Sequence, residues 1–135
     1  MLPTAEPRLL ARAVLIVRVT VAVLLGIHGW HRAFSGTMPL FGDFLESHGL
    51  PAGEAVAWAI TAFEIGASVL LAAGRYVRFV VPGFALILLG GIATVHASEG
   101  WFVVGAGRNG VEFSVLLLAC LAALWLAHPP PKRDV

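Results

Sequence analysis

The sequence predicts an all-α integral membrane protein, a four-helix bundle with its N- and C-termini in the cytoplasm. Three observations predict it. The 135 residues are 59% hydrophobic and only 13% charged, about half the charge of an average soluble domain. Four apolar stretches, approximately residues 13–30, 55–73, 79–95 and 111–127, each have the roughly 17 to 25 residues that cross a hydrocarbon layer about 30 Å thick. Threading them through a bilayer puts Arg8, Arg12, Arg75, Arg78, Lys132 and Arg133 on the side of the termini, and only Arg32 and Arg108 on the other. Basic residues concentrate on the cytoplasmic side of membrane proteins. The chain reads as a single multi-pass domain, residues 1–135, in the cell's inner membrane, with outer loops 31–54 and 96–110.

Taken in order, residues 1–12 form a short arm with prolines at positions 3 and 7. Arg8 and Arg12 before an apolar run suggest a signal peptide, but the run ends in Gly26-Ile-His-Gly-Trp-His-Arg32 and not in a cleavage site of small residues. It reads as a retained helix. Arg18 inside it shares a face with Ala22, Leu25 and Gly29, so it is either an anchor snorkelling to the headgroups or a buried group beside a closely packed helix. The first outer loop carries Phe34, Met38, Leu40, Phe41, Phe44 and Leu45, too apolar for a solvated loop. A short amphipathic helix from about Pro39 to His48 is expected, stopped by Gly49 and Pro51. It either covers the bundle or lies flat in the headgroup region.

Gly74 to Arg78 is a tight basic turn that makes spans two and three an antiparallel hairpin. Pro82 is placed in the first turn of span three, and Gly90-Gly91 favours close packing or a bend. In the second outer loop Gly105, Gly107 and Gly110 match GxGxxG. A dinucleotide fold also needs further strands and an acidic residue about 20 positions on, where this chain has a membrane helix. Glu112 instead suits the positive end of the helix dipole of span four.

Glu64 stands alone in the apolar run from Trp58 to Ala73. An acidic residue there costs about 2.5 to 3.5 kcal/mol of insertion free energy, so it needs a partner. Arg18 lies roughly 8 Å from the inner edge of span one and Glu64 roughly 14 Å from that of span two, so an Arg18–Glu64 ion pair is expected. That pair is the candidate catalytic group, with a structural role as the alternative. On the outer side, His28, Trp30, His96 and Glu112 are candidate cofactor-binding residues: aromatic walls, neutral imidazole donors and a carboxylate proton route suit a quinone. The same residue types suit a membrane interface. No HExxH signature supports a metal, and no haem, flavin or NAD motif occurs. Cys120 is the only cysteine, which excludes a dithiol mechanism within the chain. Topology accounts for the basic residues, so nucleic-acid binding has no support.

Arg18 in span one, the stretch Gly26 to Arg32, and Glu64-Ile-Gly-Ala-Ser-Val-Leu-Leu-Ala-Ala-Gly74 followed by Arg75 resemble the DoxX family of small bacterial membrane proteins. The resemblance covers almost the whole chain. It implies that Arg18 and Glu64 match the family's intramembrane Arg and Glu, and that Arg32 stands where a Lys is usual. The last loop, through Glu112, resembles the branch with a glycine-rich stretch before the final helix. The resemblance also implies a link to quinone-coupled thiosulfate oxidation, quinone resistance or oxidative-stress complexes. The expected function is therefore a membrane subunit supporting quinone-linked redox chemistry, with a bound quinone, a redox partner subunit or a second copy of the chain. Two other readings stand beside it: a non-catalytic assembly protein whose Arg-Glu pair sets helix register, and small-solute or proton transport, for which only Thr20 and Thr94 extend a polar path.

Overall fold

The computed structural model describes residues 6–105 and 109–129. The expected arm at residues 1–5, Gly107 and Arg108 of the glycine-rich turn, and Lys132 and Arg133 lie outside the described residues. Five helices follow in order: α1 Pro7–Ser35, α2 Met38–Ser47, α3 Gly53–Ala72, α4 Val77–Gly91 and α5 Glu112–Ala127. A π-helical turn, Ile92–His96, and a 3₁₀ turn, Ala97–Glu99, prolong α4. α1 packs on α3, α3 on α4, α4 on α5 and α5 back on α1, so four helices close a ring, and α2 lies across α3.

α1 has 29 residues, about 44 Å of helix, longer than the hydrocarbon layer is thick. Both of its ends are written locally. Pro7 occupies the first turn, where a missing amide is harmless, and Gly36 closes the helix in a left-handed conformation with φ 70°. The helix therefore overruns the expected span 13–30 at both ends. Residues 6–13 are exposed beyond the bundle, and His31 and Arg32 are helical residues of α1, not the start of an outer loop.

α2 buries Met38, Gly42 and Leu45 against α3, one stripe at helical spacing. Of the two placements left open by its sequence, it takes the covering one. Contact is close because two glycines meet: a Cβ on Gly53 would strike the Gly42 carbonyl. Glu46 then caps α3 by accepting the Gly53 N–H through Oε1 at 3.0 Å. α4 begins at Val77, so Pro82 sits in its second turn and not its first, and its ring leaves the Arg78 carbonyl without a helical donor.

α1, α3 and α4 with its extension to Glu99 are long and apolar enough to cross a membrane, and α5 is a shorter apolar helix. Ile16, Phe79, Leu86 and Leu126 project outward from them, the arrangement expected when lipid is the solvent. The chain is a helical membrane bundle. Inside it, Val21, Leu25, Leu71, Phe84, Leu117 and Leu121 form one core. Since lipid is as apolar as this core, close packing and polar contacts hold the helices together.

Candidate functional site

Glycines set the register of α1 on α3. A Cβ added at Gly29 would lie 3.0 Å from Cβ of Glu64, and one at Gly26 would lie 2.7 Å from Oγ of Ser68. With the two helices antiparallel, the next turn of α1 brings Arg32 level with Thr61 and Glu64. Arg32 Nη2 donates to Glu64 Oε2 at 2.6 Å, and Nη1 donates to Thr61 Oγ1 at 3.0 Å. The Thr61 hydroxyl in turn points at Met38 Sδ, 3.6 Å away on α2. Phe41 of α2 lies under the Arg32 guanidinium at 4.4 Å, a cation–π contact. Glu64 is 4% and Thr61 1% exposed. Among the described residues this is the one ion pair, and Glu64 Oε1 makes no hydrogen bond.

The expected Arg18–Glu64 pair does not form. Arg18 lies over Gly74, where an added Cβ would come within 2.8 Å of its Cζ. From Gly74 back to Glu64 is about 15 Å along α3, beyond the reach of the side chain. The expectation took Arg12 as the inner edge of span one. Residues 7–13 of α1 are exposed, and the packed part of the helix begins at Val14, one turn before Arg18. Its Nη1 donates to His128 Nε2 at 3.0 Å, while His128 Nδ1–H donates to the Leu124 carbonyl at 2.8 Å. Those two partners select the neutral Nδ1–H tautomer. Arg18 Nε is buried without a partner.

The four outer candidates occupy separate surroundings. Trp30 stacks on Phe34 with centroids 5.6 Å apart and lines a groove of about 240 Å³ between α1 and α3. His28 is exposed on α1. His96 Nδ1–H donates to the Asn109 carbonyl at 2.7 Å, and Glu112 Oε1 accepts the Val103 N–H at 2.9 Å. His96 thus joins the two ends of the second outer loop, and Glu112 ties that loop to the start of α5. No hydrogen bond joins these four side chains to one another among the described residues. Arg32, which pairs with Glu64, and Thr61, Met38 and Phe41, which extend that cluster, were not expected as site residues. Gly36 was the available signal, because a glycine there ends a helix that includes Arg32 on the Gly29 face.

The sequence model of the DoxX family matches residues 13–97. The chain belongs to the DoxX family. No curated protein and no solved structure matches it. In this DoxX-family chain the matched region includes Arg32, Thr61, Glu64 and all of α2, whereas α5 and Glu112 lie beyond it.

Proposed function

We propose that this DoxX-family protein is a membrane subunit that supports quinone-linked redox chemistry, with the Arg32–Glu64 pair as the polar end of its site. The observation that carries the reading is the pair itself: an ion pair under α2, between Phe41 and Met38, with Glu64 Oε1 unbonded. An ionisable residue kept inside a membrane helix against its insertion cost marks a functional site by default.

The nearby groove fits a flat apolar ring. Gly26 and Ile27 of α1 and Ser68 and Val69 of α3 line it beside Trp30, and it opens on the lipid-facing side, from which a lipid-soluble ring would arrive. Ser68 spends its hydroxyl on the Ile65 carbonyl at 2.9 Å. The Trp30 indole N–H has no acceptor among the described residues and is the donor for a carbonyl oxygen. A bound quinone supplies the electron-accepting chemistry. Trp30 orients it, Glu64 one turn from Ser68 exchanges the proton, and Arg32 aims that carboxylate. Electrons come from a partner subunit, because Cys120 is the only thiol.

A second reading has its own observation. Arg32 bonds both Thr61 and Glu64 across glycines that set the α1–α3 register, which is what a purely structural pair in an assembly protein would do. Glu64→Gln separates them. The redox reading expects a folded protein with wild-type abundance and lost quinone turnover in membranes. Loss of the protein, or turnover equal to that of wild type, supports the structural reading.

A further inference from the structure

At the end of the bundle away from Glu64, positive charge collects that no carboxylate answers among the described residues. Arg78, the second residue of α4, lays its guanidinium 3.8 Å from the ring centroid of Trp125 on α5. Its Nε donates to the His128 carbonyl at 3.1 Å, which leaves both terminal nitrogens without a partner among the described residues. Arg18 reaches the same histidine from α1 with its Nε buried and unpaired. The one ion pair among the described residues is Arg32–Glu64, so neither of these two cations has a carboxylate partner among them.

An apolar groove of about 480 Å³ begins at Trp125 and runs between α4 and α5. Val81, Pro82 and Ala85 form one wall, and Leu118, Ala122 and Leu126 the other. The small side chains of Ala85 and Ala122 make the room. From Arg78 to Ala85 is about 10 Å along the helix axis, so the groove descends from a cationic head into the apolar layer. Leu126 on its rim is 71% exposed, which places the groove on the lipid-facing side.

We propose that this groove binds an anionic phospholipid, with an acyl chain along the α4–α5 trough and the phosphate on the terminal nitrogens of Arg78, in the positive field of Arg18. Charge complementarity selects this occupant. A second copy of the chain would bring arginine against arginine, and a quinone carries no anion to answer them. Depth agrees. Arg78 is in the first turn of α4 and Trp125 in the last turn of α5, the headgroup level where aromatic and basic residues anchor membrane proteins.

The test counts lipid retained by the detergent-purified protein, by mass spectrometry, after exchange into nanodiscs of mixed phosphatidylglycerol and phosphatidylcholine. Wild type is expected to retain phosphatidylglycerol in preference. Arg78→Gln is expected to weaken that preference about five-fold, the effect of one basic group near an anionic surface. Ala85→Trp, which fills the groove and leaves every charge in place, is expected to abolish retention, and Ala122→Leu serves if that variant does not fold. Arg75→Gln, an exposed arginine at the same end, is expected to weaken the preference clearly less than Arg78→Gln does. Equal retention of the two lipids, an Arg75→Gln effect as large as that of Arg78→Gln, or unchanged retention with the groove filled would each overturn the proposal. So would displacement of the lipid by inorganic phosphate alone, since that would make the site one for a free anion.

Discussion

Two arginines of α1, one toward each end of the bundle, are settled in opposite ways. Arg32 meets a carboxylate, a hydroxyl and an aromatic face under α2. Arg18 meets an imidazole, and its Nε has no partner among the described residues. An unpaired cation inside a low-dielectric layer costs several kcal/mol, so the sequence supplies Glu64 where water is shut out. At the headgroup level, phosphates and water provide the counter-charge, and a neutral histidine there is enough. The outer pair is nearly neutral as a unit. The inner group remains cationic, which is why one suits a buried site and the other a charged lipid.

Removing the counter-charge is the strongest way to break this contrast. Glu64→Ala leaves the partly buried Arg32 with Thr61 and the Phe41 ring but no counter-charge, and is expected to cost about 3 kcal/mol in detergent unfolding. Arg18→Ala should cost clearly less, because no acid is stranded. His128→Ala removes the one acceptor on Arg18 among the described residues and should cost about 1.5 to 3 kcal/mol, the range for a hydrogen bond to a charged group. The same unfolding measurement checks it, and a loss matching that of Glu64→Ala would erase the distinction between the two ends. Gly53→Ala acts on the cover over the outer site. The new methyl meets the Gly42 carbonyl, so α2 must lift from α3 at about 1 to 3 kcal/mol, with faster proteolysis between residues 48 and 52 as the readout. Phe41→Leu is the smallest change. It keeps an apolar contact and removes the ring face, for about 0.5 to 2 kcal/mol, and a double cycle with Arg32→Gln isolates that term.

Much of this architecture was legible in the sequence. Hydropathy marked the apolar stretches, Gly49 and Pro51 marked the stop of α2, and Gly74 marked the turn between α3 and α4. The partner of Glu64 was not legible, because it depends on the register of two helices. That register follows from Gly26 against Ser68 and Gly29 against Glu64, contacts that exist only once the helices meet. Hydropathy also ended the first span at Trp30, although Pro7 and Gly36 delimit a longer helix that carries Arg32 inward. His96 and Glu112 stand apart from the Glu64 site for a different reason. Their side chains bond backbone groups of the second loop, at Asn109 and Val103, and composition alone does not reveal such ties.

The central claim is that Arg32 and not Arg18 neutralises Glu64. A pair of double-mutant cycles tests it most directly, combining Glu64→Gln with Arg32→Gln and separately with Arg18→Gln, and reading the unfolding free energy in detergent. The expected result is a coupling of about 1.5 kcal/mol or more for Arg32 with Glu64, and of less than about 0.5 kcal/mol for Arg18 with Glu64. Strong coupling of Glu64 to Arg18, with none to Arg32, would contradict the account.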